Sequence, residues 1–415
     1  MAFSGESDAT SNLPLSFANE PTMDVSVYTV AWLAPLEIES QAACHMLDEV
    51  HSHKQPPLAD CIYIGGSMAG HNVVIATFNY QQVYGTRNAG VMAYEVKRTF
   101  PNVKYGLLVG VAAGIPRHPQ NGESPGHNDD IRLGDVVVAY SDDSSKNPIL
   151  DYDLGKQHGH GRPLEILQGR ESSTQQGHVR LLRLKDQDTL KQVRRNFRKV
   201  ENLRHNKGTF VYPGSDKDRY HVEHRGETIQ LELAPRPDRQ RSRVYYGPIG
   251  SASKLVRDAA YRDNLRDVHG VLALEMEAAG IVGQFNAGVI RGICDYADKH
   301  KNKDFQPYAA AMAAAYARLV LAKLDVVAPA SRPQSPPPRE PAAIVERIHG
   351  KKPDRAKQTW KQRWSDRWDR FLRPRPPRTR YYDSFQSPDR FQSSERFQSL
   401  DALSVTSSTG AVADA

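Results

Sequence analysis

Two short stretches of this sequence hold carboxylates where chemistry is done in α/β proteins. Val289-Ile290-Arg291-Gly292-Ile293-Cys294-Asp295-Tyr296-Ala297-Asp298 is a mostly apolar run that ends in two aspartates. A buried strand ending in a carboxylate delivers it to the rim of a sheet, where ligands bind. Just upstream, Ala273-Leu274-Glu275-Met276-Glu277-Ala278-Ala279-Gly280 is a second strand-like run that ends in acid and opens into a helix. Two such strand ends close in sequence imply a carboxylate-lined pocket. One carboxyl could give a proton while another accepts hydrogen bonds from hydroxyls.

Together these stretches resemble the signature of the nucleoside phosphorylase and nucleosidase superfamily, which pairs a Met-Glu-Ala-Ala stretch with a Ser-Asp-x-Ala-Asp stretch about twenty residues on. Cys294 stands here where serine is usual. The resemblance runs from about Val25 to Val327 and is interrupted by a long insertion. It is similar to methylthioadenosine/S-adenosylhomocysteine nucleosidases, and Phe210–Asp218 resembles a segment common in fungal members. It implies cleavage of the N-glycosidic bond of a purine nucleoside or nucleotide, by hydrolysis in preference to phosphorolysis.

The resemblance also implies roles for residues. Asp295 would protonate the purine at N7, which requires a raised pKa of the kind burial supplies. Capping the next turn would suit an aspartate there equally well. Glu277 would accept hydrogen bonds from the ribose, with Met276 packed on the sugar; a first-turn glutamate is also favoured by the helix dipole. Glu275 is a competing carboxylate, which strand alternation points away from Met276. After the first strand, Leu33-Ala34-Pro35-Leu36-Glu37 offers Glu37 as the acid that positions the attacking water, and Glu39 competes from two residues on.

Gly110, Val111 and Ala112, in the small-residue loop Gly110–Gly114, would lie beneath the ribose and base, although the loop lacks the hydroxyl common in the family. Leu255 and Val256 would line the base pocket, and Cys294 would adjoin Asp295. Arg87 and Arg117 are the candidate phosphate ligands. Basic groups near the sugar 5′ end could instead hold a nucleotide's phosphates, with ATP as one such substrate. The opposing class is a catalytically degenerate module that senses a nucleoside and signals through its C-terminal tail. No metal or organic cofactor is implied, and His158 and His160 lack a second ligand pair at metal spacing. A homo-oligomer is implied.

The elements that must position these residues read as an α/β fold: a three-layer α/β/α sandwich around a mixed central sheet. Strands are predicted at Val25–Ala34, Cys61–Met68, Val73–Phe78, Tyr105–Val111 and Ile131–Tyr140, and helices at Leu36–His51, Asn88–Phe100 and Ser253–Leu265. The Ala-rich stretch Tyr308–Leu324 reads as a packed surface helix. The insertion spans about 142–243. Residues 1–24 read as a flexible leader, 328–358 as a Pro-rich basic linker, and 373–415 as a disordered tail carrying Phe-Gln-Ser repeats.

Trp360, Trp364 and Trp368 share one face of an amphipathic helix over 359–372, suited to docking on a protein partner or a membrane surface. Charge is uneven. Residues 331–380 hold 15 Lys and Arg against 5 Asp and Glu, whereas residues 1–330 hold 38 of each sign. The pI of about 9.1 thus describes the tail, and the core has no electrostatic reason to bind nucleic acid. Arg373–Arg380 has the composition of a nuclear import signal or a nucleic-acid contact. Three scattered cysteines, Cys44, Cys61 and Cys294, suit a reducing compartment. The polar stretch Met1–Glu20 has no apolar signal region, so a cytoplasmic or nuclear location is expected.

Overall fold

The computed structural model describes residues 22–56, 61–79, 84–117, 130–143, 146–156, 165–166, 186–205, 208–224, 227–231, 233, 236, 241–282, 284, 287–300 and 303–327. The leader before residue 22, the Pro-rich linker from residue 328, the tryptophan stripe, the Phe-Gln-Ser repeats, and His158 and His160 lie outside them.

Eleven strands form one mixed sheet. They are β1 (Val30–Leu33), β2 (Glu49–Val50), β3 (Cys61–Met68), β4 (His71–Phe78), β5 (Tyr105–Gly114), β6 (Val136–Ala139), β7 (Ile149–Asp151), β8 (Val244–Gly247), β9 (Ile249–Ser251), β10 (Ala273–Glu275) and β11 (Ala287–Asp295). The order is β8-β6-β11-β5-β1-β4-β3-β2, with β10 pairing the far end of β5 and then β9, which pairs β7. The central strands β4, β1, β5 and β11 are mutually parallel, whereas β6 is antiparallel to β11 and β10 to β5. Central parallel strands are covered on both faces, and β1 is accordingly buried at all four positions.

Helices α1 (Glu37–His45), α3 (Asp186–Phe197) and α6 (Gln306–Leu321) form one layer. Helices α2 (Thr86–Thr99) and α5 (Ala278–Val282) pack together in the other, and α4 (Ala259–His269) lies against the insertion hairpin Tyr220–His224. The result is the expected three-layer sandwich. Several boundaries differ from the sequence reading. The small-residue stretch Gly110–Gly114 is strand rather than loop, because β11 and β10 pair with it along its length. The helix expected over Ser253–Leu265 begins only at Ala259, where Asp258 caps it by accepting the Tyr261 N–H at 3.0 Å. Ser253–Asp258 is irregular.

α6 is no surface helix. Ala309 to Ala317 are all buried, because the sheet lies on one side and α1 and α3 on the others. Small side chains permit that approach: a methyl group at Gly292 of β11 would overlap the Ala309 carbonyl. Helix α3 belongs to the insertion, and it is tied to α6 by the Asn196 side chain donating to Ala315 O at 3.1 Å and by Phe197 on Tyr308 at 5.1 Å. The insertion is therefore part of the domain's layering.

Candidate active site

The carboxyl ends of β5, β10 and β11 converge on a cavity of about 330 Å³, within the range of small-molecule sites. Glu39, in the first turn of α1, is buried in its wall. Its two oxygens accept the Val111 N–H at 2.8 Å and the Leu36 N–H at 2.9 Å. Gly110 permits this, since a methyl group there would overlap the Glu39 carboxylate. Glu37, the acid favoured by spacing from the strand, does not line the cavity. It is half-buried and accepts from the Gln41 side chain at 3.1 Å, an i,i+4 pair along the helix. The difference is one of helical phase: two residues turn a side chain by roughly 200°, so Glu39 lines the cavity and Glu37 does not.

Arg291 lies in the middle of β11, opposite Gly110 in register, and is fully buried. Its guanidinium contacts Glu275 and reaches Glu277 at 3.1 Å and Glu39 at 3.6 Å. Three carboxylates thus share one cation out of water. Burial pushes Glu277 up to about 8; Arg291 opposes the shift, and Glu275 and Glu39 add to it. Burial likewise raises Glu39, again against the pull of Arg291. The cluster therefore holds at least one proton near neutrality. Glu275 also accepts the N–H groups of Glu277 and Ala278 at 3.1 and 3.0 Å, fixing the turn that presents Met276 and Glu277 to the cavity.

Asp295 lines the same cavity. The pairing of β11 with β5 slips between Ile293 and Asp295, a bulge that re-aims the strand end. Asp135 sets its start, its carbonyl accepting the Ile293 N–H at 2.8 Å while Gly134 N–H donates to Ile293 O at 2.7 Å. Past the bulge, Asp295 accepts the Ala297 N–H at 3.0 Å, with Ala297 in the left-handed region at φ 54°. This costs on the order of 1 kcal/mol for a residue with a Cβ, so the surroundings over-determine the turn. The Cys294 thiol donates to Asp295 at 3.3 Å.

Leu255 and Val256 line the cavity from the irregular segment, and Val111, Ala112 and Cys294 line it from the strands. Gly110 contributes room rather than surface. Arg87 and Arg117, the candidate phosphate ligands, are exposed and outside the lining. Cations that do line it are Lys254, Arg257 and Lys303, all exposed at the mouth. The sequence reading missed these and Arg291. The signal for Arg291 was present: a lone charge inside an apolar strand run.

A second cavity of about 430 Å³ shares Cys294 and Asp295 with the first and is otherwise lined largely by the insertion and by residues after Asp295. Among the described residues no group of His, Cys, Asp and Glu is placed to hold a metal ion, and no helix is long and apolar enough to cross a membrane.

No family model matches the chain. A nucleotide-binding leucine-rich repeat (NLR)-like protein of Hyaloscypha variabilis is 33% identical over 322 residues, covering 75% of this chain and 31% of the relative. The chain thus spans about a third of that protein's length. Similar solved structures include the 5′-methylthioadenosine/S-adenosylhomocysteine nucleosidase from Neisseria meningitidis in complex with methylthio-immucillin-A. It is 19% identical, with 72% of this chain and 100% of that chain covered and a TM-score of 0.45. They also include futalosine hydrolase of Helicobacter pylori, at 14% identity, 72% and 99% coverage and a TM-score of 0.45.

Proposed function

We propose that this domain, of the nucleoside phosphorylase and nucleosidase type, cleaves the N-glycosidic bond of a purine nucleoside or nucleotide by hydrolysis. The observation that carries this reading is that two unlike acidic groups line one cavity. Asp295 is held on a bulge, and Glu39, Glu275 and Glu277 are gathered on the buried Arg291. Cleavage needs a proton for the departing base, support for a sugar that gains positive charge, and a placed nucleophile. Asp295 gives its proton to the base nitrogen as the bond breaks. Glu277 accepts hydrogen bonds from the sugar hydroxyls, and the excess negative charge of the cluster favours the cationic sugar. Glu39 takes a proton from the attacking water, whose oxygen bonds to the anomeric carbon. Burial, which raises the Glu39 carboxyl against the pull of Arg291, makes it a stronger base than an exposed glutamate.

The exposure of Arg87 and Arg117 away from the cavity argues against a bound phosphate as nucleophile. Lys254, Arg257 and Lys303 at the mouth suit the phosphates of a nucleotide. A second reading is that the domain binds a nucleoside without cleaving it; the similarity to an NLR-like protein, of which this chain spans about a third, lends that reading limited support. Incubation with adenosine, inosine, methylthioadenosine, uridine and ATP, each with and without phosphate, separates the readings when free base is followed by chromatography. Base released without phosphate is the expected result. Release only with phosphate would make the domain a phosphorylase. A melting temperature raised by a nucleoside that stays intact would support the sensing module.

A further inference from the structure

The second cavity has no part in the reaction as described, yet Asp295 forms a wall of it. The insertion supplies His221, at the head of its hairpin, to that cavity, and the segment after Asp295 supplies Asp298 and His300. His221 and Asp298 are both buried, with His221 Nδ1 3.4 Å from Asp298 Oδ2. Among the described residues neither of those two atoms has a hydrogen-bond partner, and they face each other as a charge pair. The other oxygen of Asp298 accepts the His300 N–H at 2.8 Å, and the His300 ring stacks on His221 with centroids 3.9 Å apart and planes 23° apart. A buried imidazole with one nitrogen on a carboxylate, set in a cavity whose wall is an acid, is arranged for proton transfer.

The hydrolysis proposed above, on which this inference rests, leaves a proton to be returned. Asp295 ends the cycle as a carboxylate and Glu39 as an acid, with the substrate between them. We propose that His221, supported by Asp298, returns the proton to Asp295 through the second cavity. The ring nitrogen that does not face Asp298 takes a proton from solvent, and the resulting imidazolium is stabilised by the Asp298 carboxylate. The same nitrogen then passes the proton by way of cavity water to the Asp295 carboxylate. Histidine returns to neutral, Asp295 regains its acid form, and Glu39 releases its proton to solvent, so charge and protons balance. Burial and the neighbouring His300 lower the affinity of His221 for a proton while Asp298 opposes them, so the ring is mostly uncharged near neutrality and hands protons on rather than storing them. The other charged groups around it are Arg219, Lys217, Asp216 and Asp304, all lining the same cavity.

The test is His221→Gln, with base release followed against pH and with added imidazole. The expected result is a kcat lower by about 10²-fold, the low edge of what positioned acid–base groups contribute, with KM little changed and kcat restored as imidazole is raised. A loss that imidazole does not restore, or no loss, overturns the relay. A second measurement does not depend on turnover. Asp298→Asn should lower the titration midpoint of the His221 ring followed by NMR, because the carboxylate that stabilises the imidazolium has been removed. An unchanged midpoint contradicts the relay even in a chain that releases no base, whereas absence of base release from the wild type bears on the hydrolytic reading alone.

Discussion

The two walls of the main cavity are built from different parts of the chain. The wall of Glu39, Glu275, Glu277 and Arg291 comes entirely from α1, β10, β11 and the turn after β10, all elements of the core. The Asp295 wall depends on the insertion. Asp218 accepts the Tyr296 hydroxyl at 2.6 Å, and buried Arg262 bridges Tyr296 O at 2.8 Å and Tyr220 Oη at 3.1 Å. Arg236 pairs with Asp135, whose backbone sets the bulge. One wall is thus fixed by buried charge inside the sheet, and the other by a peripheral segment reaching in. Damage to the first should therefore cost more folding stability than damage to the second.

The largest effect is expected for Arg291→Met. Removing the shared cation strands three buried carboxylates, a loss of about 3–5 kcal/mol, measurable by urea unfolding. Asp218→Ala on the other wall should cost only about 1–2 kcal/mol, the usual loss from one buried hydrogen bond. Equal losses would break the contrast between the walls. Next, Glu39→Gln should slow base release by about 10²-fold, whereas Glu37→Gln, one helical phase away, should stay within about twofold. The reverse order would return the water-positioning role to Glu37.

A smaller effect is carried by pH. The Glu277 carboxyl, ordinarily near 4.5, is pushed up to about 8. The folded chain therefore keeps a proton that the unfolded chain releases. The linked stability is complete below about 4.5 and is lost as pH rises through about 8. Thermal unfolding followed over this window should show a Tm that falls with pH in the wild type and falls less in Glu277→Gln. Parallel curves would mean that the carboxylates do not share a proton. The smallest effect is expected for Tyr296→Phe, which loses the bond to Asp218 and should cost about 1 kcal/mol with a lower kcat; an unchanged kcat would free the Asp295 wall from the insertion.

The same contrast governs what was legible in the sequence. Glu277, Met276 and Asp295 announce themselves because apolar strand runs end on them, and the sheet places them at its rim. Glu39 was harder, since choosing between it and Glu37 requires the phase of a helix whose start is set by packing. Arg291 was in plain view but reads as an interruption until Gly110 and Glu39 are seen beside it. The insertion was the least legible. Its contacts with Tyr296, Asp298 and Asp135 join residues about 80 to 100 apart in sequence, and no local periodicity reports them. The extent of α4 was misread because Ser253–Asp258 has helical composition but serves the cavity instead.

The central claim, that the two walls act on one glycosidic bond, is tested most directly by base release from Asp295→Asn beside the wild type. Asparagine keeps the oxygen that accepts the Ala297 N–H, so the turn should survive while the proton donor is lost. The account predicts release without phosphate in the wild type and a fall of about 10³-fold in the variant, with nucleoside still raising its melting temperature. Undiminished release in the variant would contradict it.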